Sequence, residues 1–215
     1  MLNSPLNMLT FSSALYLLVF NFLAPAVDSS DSCKNVQTVD AGLYKAYCDG
    51  PFFQSLLPDT EENRLLDNVC FTFFPAPDDP NTYFGYEARV YCDGSYSVMS
   101  FVGLQASTGI QIVATPFVTA TDHTIGYPGC DIYLIYRCSN FGASFDPFVY
   151  AASFTCNPVG LSCLRKVEEL IRDRGLPEQD FYVLPMKLPN RCVTQQLCIQ
   201  PPNPFYNHLP GVSLI

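Results

Sequence analysis

Tryptophan is absent from this chain, and histidine nearly so: His123 and His208 are the two among 215 residues. So few imidazoles argue against a histidine-built metal centre. No two cysteines stand at Cys-x-x-Cys spacing, so a thiolate zinc site is not indicated either. No Gly-x-Ser-x-Gly elbow accompanies Asp122-His123, which removes the usual signature of a hydrolase triad. A phosphate-cradling glycine loop and an EF-hand pattern are also missing. The expectation is a protein that is not an enzyme, with no catalytic residues, no metal and no required cofactor.

Charge is scarce as well. Charged side chains make up 14% of the chain, against about a quarter in a typical soluble domain. The balance is acidic, with 11 Lys and Arg against 20 Asp and Glu, a formal net charge of −9. Nucleic acid and anionic membrane surfaces are therefore poor partners. In place of charge the chain carries 17 Phe and 13 Tyr. That is more apolar surface than one core requires; an internal cavity would use it, and so would a partner interface.

Residues 1–27 contain no Asp, Glu, Lys or Arg. An apolar run, Ala14 to Phe20, leads to the small residues Ala24-Pro25-Ala26. This reads as a secretory signal over residues 1–26, cleaved before Val27, although its start has no basic side chain. A single-span anchor is the alternative, disfavoured by Asn21 within the run and by the lack of a basic flank after it. Secretion, with no membrane insertion after cleavage, is the expectation. All ten cysteines follow the cleavage site, and an even count in a secreted chain argues for five disulfides, with pairing left open by the spacing alone. Residues 27–192 suit one domain. Residues 193–215 form a tail with Pro201, Pro202, Pro204 and Pro210.

The domain reads as strands throughout, with one helix. Val39–Cys48 is the first predicted strand. Residues 49–68, with Pro51, Pro58 and Asp59-Thr60-Glu61-Glu62, read as a long connection whose Phe52, Phe53, Leu56 and Leu57 are apolar enough to form a lid. Strands follow at Val69–Phe74, Thr82–Cys92, Tyr96–Leu104 and Ile110–Phe117, with Asp93-Gly94 as a tight turn between the second and third of these. A weak strand at Thr121–Ile125 and stronger ones at Asp131–Cys138 and Phe148–Cys156 complete eight. Leu161, Leu164, Val167, Leu170 and Ile171 recur at helical spacing, ended by Gly175 and Pro177, and Phe181–Leu184 is one more strand. The fold class is all-β: an eight-stranded antiparallel up-and-down barrel with one C-terminal helix on its outer wall.

The hairpin of residues 131–156, a cysteine at a strand end, the leucine-spaced helix ending in Gly175-Leu176, the short strand and Cys192 together resemble the C-terminal third of a lipocalin. They are most similar to the invertebrate extracellular carriers of bilins and carotenoids. The resemblance implies the bridges Cys33–Cys138 and Cys70–Cys192. It also implies a closed barrel end where the family carries Gly-x-Trp with an Arg stacked on the Trp. Gly42-Leu43-Tyr44 falls at the first and Phe154 at the second, so an aromatic pair, Tyr44 with Phe154, is expected as the plug.

Period-2 alternation then nominates a lining for the cavity. Cys70 is expected to point outward to the C-terminal tail, which turns Phe71 and Phe73 inward. Glu87 and Arg89 are expected in water, which turns Phe84, Tyr86, Ala88 and Val90 inward. Ala46 follows Tyr44, and Tyr133 and Ile135 oppose an outward Cys138; Met99, Phe101 and Ile112 complete the set. Such a wall suits a small hydrophobic ligand, a pigment such as a carotenoid or bilin, or a retinoid or fatty acid. The other reading is a secreted interaction protein (toxin, inhibitor or immune-evasion factor) with a solid barrel and functional loops.

Overall fold

The computed structural model describes residues 33–40, 52–76, 78–139 and 145–188. The expected signal segment and the expected tail lie outside the described residues. Among the described residues no helix is long and apolar enough to cross a membrane.

Nine antiparallel strands are described: β1 (Phe52–Pro58), β2 (Leu66–Ala76), β3 (Asp79–Tyr91), β4 (Tyr96–Ser107), β5 (Ile110–Ala114), β6 (Thr119–Gly129), β7 (Ile132–Ser139), β8 (Phe148–Ser153) and β9 (Phe181–Val183). Each strand from β2 to β7 pairs with its successor, β8 pairs with β1, and β1 pairs back to β2. The sheet thus closes into an eight-stranded barrel, and closure leaves no bare edge for another chain to extend. β9 lies outside the ring, paired with the far end of β1 at Leu56, Leu57 and Pro58.

The helix α1 (Leu161–Asp173) lies on the outer wall. Its Cys163, Val167 and Ile171 are buried against Ile125, Ile132, Leu134, Tyr136, Val149 and Ala151 of β6, β7 and β8. Burying Val167 and Ile171 contributes about 1.5–3 kcal/mol each, an upper estimate for a chain already compact when unfolded. Gly175, at φ 64°, supplies the left-handed residue that ends the helix. Leu161, expected on the buried stripe, is 79% exposed at the first residue of the helix.

Two irregular segments complete the outer surface. Residues 33–40 cross the wall with Val36 buried and the Val39 amide donating to Thr124 O at 2.8 Å. Arg174 at the helix end donates to Ile125 O and to Gln37, and the Lys34 ammonium donates to Gly175 O. On the other side, the buried Asp67 carboxylate accepts the amides of Lys187 (3.1 Å) and Leu188 (2.8 Å). That clamp seats Leu184 and Met186 in the same cluster as Cys70 and Ala88.

Three expectations change. The segment expected to be a lid contains β1, whose first six residues are all buried; with apolar neighbours on both faces it shows no alternation, so its pattern imitates a packed loop. The strand expected at Val39–Cys48 falls mostly outside the described residues, and Val39 and Asp40 are not in a strand. Two disulfides rather than five are formed among the described residues. Cys33–Cys138 is present with Cα atoms 5.2 Å apart, and Cys130–Cys163 ties α1 to the β6–β7 turn with Cα atoms 6.2 Å apart. Cys92 and Cys156 are free. Cys70 is disulfide-bonded, while its expected partner Cys192 lies outside the described residues, as do Cys48 and Cys198.

Candidate ligand-binding lumen

The helix fixes which face of the sheet is inside. α1 packs on Leu134 and Tyr136, so the alternate residues Tyr133, Ile135 and Arg137 of β7 point into the barrel. Register carries that face around the wall. Arg137 is opposite Asp122, which is opposite Gln111; Gly103 is opposite Tyr83; Phe101 is opposite Gly85; Met99 is opposite Glu87, which is opposite Phe71; and Phe71 is opposite Phe52. Directly opposed residues share a face, so all of these are lumenal.

At the closed end the lumen is aromatic. The Phe52 ring stacks on Phe73 (centroids 4.9 Å, planes 5° apart) and meets Phe154 edge-on (4.7 Å, 63°). Phe154 also contacts Tyr133 at 5.5 Å. Further round, Phe73 meets Tyr83 at 5.4 Å, and Tyr83 meets Phe101 at 6.3 Å. Two glycines let these rings lie flat on the wall. A Cβ at Gly103 would stand 2.0 Å from the Tyr83 ring, and one at Gly85 2.2 Å from Phe101. Lying across Gly103, Tyr83 reaches β5 and donates its hydroxyl to Gln111 Oε1 at 2.6 Å.

Beside the rings lie two ion pairs. Arg137 donates from Nε and Nη2 to the two oxygens of Asp122, each at 2.7 Å, and the Tyr150 hydroxyl donates to Asp122 Oδ2 at 3.0 Å. Burial disfavours the Arg137 cation, but Asp122 and other nearby acidic groups outweigh this and hold its pKa well above the usual arginine value. Burial and the Asp122 charge push the Tyr150 phenol well above its ordinary range. The second pair is Arg89 Nε to Glu87 at 2.8 Å, with Glu62, from the connection after β1, 3.7 Å from the same guanidinium. Glu87 also acts electrostatically on Arg137, although no ion pair joins them.

Phe71, Met99, Phe101, Gln111, Tyr133, Arg137 and Phe148 point inward and are only half-buried.

Of the residues expected to line the cavity, Phe71, Phe73, Met99, Phe101, Tyr133 and Ile135 are lumenal. Phe84, Tyr86, Ala88, Val90 and Ile112 are not: each opposes an outward residue, and Glu87 and Arg89 take the inner face instead. The inversion has two causes. Salt bridging lets the charged residues lie inside, and the outer face of β2 and β3 is itself apolar where the C-terminal segment covers Cys70 and Ala88. Ala46 and Tyr44 lie outside the described residues; among the described residues the rings against Phe154 are those of Phe52 and Tyr133. Gly50-Pro51-Phe52 has the same Gly-x-aromatic spacing as Gly42-Leu43-Tyr44, a signal that would have pointed to it. Tyr83, Gln111, Asp122, Arg137 and Tyr150 were not expected in the lumen; the opposite charges of Asp122 and Arg137 within apolar strands were their visible trace.

His123 lies on the outer face opposite Tyr136, and neither ring nitrogen has a hydrogen-bond partner among the described residues. Its ligand atoms and the sulfurs of Cys33 and Cys138 lie within 4.8 Å of one another, but the disulfide occupies both sulfurs, so no thiolate is available to a metal.

No sequence-family model matches the chain, and no curated protein sequence is significantly similar to it. Solved structures do match. The tryptamine complex of the amine-binding protein of Rhodnius prolixus is 17% identical with a TM-score of 0.55, over 83% of this chain and 100% of that one. A biogenic amine-binding protein, as its selenomethionine derivative, is 17% identical with a TM-score of 0.55, over 81% and 99%. Lobster apocrustacyanin A1 is 12% identical with a TM-score of 0.48, over 70% and 87%. With its closed eight-stranded barrel, outer helix and ninth strand, the chain has the lipocalin fold.

Proposed function

We propose that this chain is a secreted carrier that holds a small ligand inside the barrel. One observation carries the reading: inward-facing rings and polar groups of a closed wall are only half-buried, whereas a barrel packed solid would bury them. Flat rings at the closed end suit a planar or elongated apolar body. The ion pairs beside them suit a polar end. Bilins, oxygenated carotenoids, retinoids and fatty acids meet that description, and so does an aromatic amine such as the tryptamine named for the Rhodnius prolixus protein. Catalysis has less support, since His123 is outside the lumen and Asp122 is already saturated by Arg137 and Tyr150.

The second reading, a loop-mediated interaction protein, draws on Phe117, which is 86% exposed between β5 and β6. Titration decides between them. Refolded protein stripped of lipid is titrated with astaxanthin, biliverdin, retinol, a fluorescent fatty acid and tryptamine. At least one should bind tighter than about 10 μM. If none does, the carrier reading falls and the interaction reading replaces it.

A further inference from the structure

The charged layer of the lumen says more about the cargo than that it has a polar end. Two carboxylates, Glu87 and Asp122, face two guanidiniums, Arg89 and Arg137, so these four charges cancel; Glu62, the third carboxylate near Arg89, has a side chain 79% exposed and is screened by solvent. The Asp122 oxygens already accept three hydrogen bonds. Hydrogen-bonding capacity remains elsewhere. Arg137 spends Nε and Nη2 on its partners, and no acceptor among the described residues takes Nη1. Glu87 accepts from Arg89 through Oε1, and no donor among the described residues takes Oε2. Gln111 accepts the Tyr83 hydroxyl through its oxygen, leaving its amide N–H groups.

The geometry points to a ligand head group that is uncharged and carries both a donor and an acceptor, as a primary amide or a lactam does. This rests on the carrier reading above and narrows it. A ligand N–H would donate to Glu87 and a ligand C=O would accept from Arg137, two charge-assisted bonds made inside a wall that excludes most water. Each ionic alternative loses something. An ammonium beside Glu87 places a second cation against Arg89, and a carboxylate beside Arg137 places a second anion against Asp122. Neither ion finds a counter-charge that is not already paired, and desolvating an uncompensated charge is costly.

The test holds the ligand body fixed and changes its head. Indole-3-acetamide, tryptamine and indole-3-acetate are titrated against the folded, ligand-free protein by calorimetry. The amide should bind at least about tenfold more tightly than either ion, the difference one good hydrogen bond makes. Two variants shift the lumen charge in opposite directions. Glu87→Gln leaves one net positive charge and should move the preference toward the acetate by about tenfold; Arg89→Gln leaves one net negative charge and should move it toward tryptamine by about as much. Circular dichroism confirms that each variant is folded before titration. An ammonium or carboxylate bound as well as the amide, or a preference unmoved by both variants, overturns the head-group proposal. If astaxanthin, biliverdin, retinol or the fatty acid binds and none of the indoles does, the head-group proposal fails alone. If nothing binds, the carrier reading fails with it.

Discussion

Phe52 and Phe154 meet edge to face at the closed end of the barrel, ring centroids 4.7 Å apart and planes at 63°. One ring comes from the first residue of β1 and the other from just beyond β8, so the contact helps hold the barrel closed. Phe52 is 1% exposed, and Phe52→Ala should cost about 3–5 kcal/mol in denaturant melts. Phe154 is 39% exposed, so Phe154→Ala should cost less. A double-mutant cycle should return a coupling of about 0.5–1.5 kcal/mol, and additive losses would show that the ring contact contributes nothing of its own.

The Asp122–Arg137–Tyr150 cluster should make the fold sensitive to alkali. Tyr150 has a folded pKa well above its ordinary 10.0, so the unfolded chain releases that proton first. Its contribution is complete below about pH 10 and is lost as pH rises toward the folded value. Tyr150→Phe should flatten that alkaline slope and cost about 1 kcal/mol near neutrality. Arg137→Leu leaves the buried Asp122 carboxylate uncompensated and should cost about 3–5 kcal/mol. An ultraviolet titration in which every phenol ionises while the barrel remains intact would contradict the Tyr150 assignment.

His123 predicts the behaviour in acid. Burial holds its pKa below the ordinary 6.5, with Asp122 opposing, so the unfolded chain binds the proton more readily. Its contribution is present above about pH 6.5 and is lost as pH falls through the folded value. Replacing it by Phe removes two buried nitrogens that have no partner, and should raise neutral-pH stability by about 1 kcal/mol. The same variant should flatten the stability profile below about pH 6.5. A profile identical to the parent's would move the titration to another group.

Native alkylation followed by peptide mapping counts the thiols. Cys92 is exposed and free and should be labelled quickly; Cys156 is free but half-buried, with its pKa raised by burial and by Asp67, and should be labelled more slowly. Protein that takes no label would restore the five-bridge expectation. Replacing Cys130 and Cys163 by Ser frees the helix from the β6–β7 turn and should cost about 2–4 kcal/mol.

Much of the fold was legible because local signals were strong. Asp93-Gly94 marks the β3–β4 turn, where Gly94 has φ 85°, and the helix shows both its apolar stripe and its glycine stop. What failed was the assignment of faces. Alternation says that Glu87 and Tyr86 point opposite ways, but not which of them points inward. That depends on the inner ion pairs and on the distant segment covering Cys70 and Ala88, and neither is local to β3. β1 was missed for a related reason: Phe52, Gln54 and Leu56 are all buried, so no polar face marked the strand.

Near the open end β1 parts from β8. Register shifts between Gln54 and Leu56, and beyond Leu56 the strand pairs with β9. The backbone of Val149 is bonded there by the Gln179 side chain, whose oxygen accepts its N–H at 2.9 Å and whose amide donates to its carbonyl at 2.8 Å. One glutamine therefore completes the circumference in place of a strand. Exchanging its two bonds for water costs about 1 kcal/mol each, whereas slipping any other pairing by one residue would turn a whole strand inside out. The wall has an expansion joint there: a gap held by one side chain can open without changing the register of any strand.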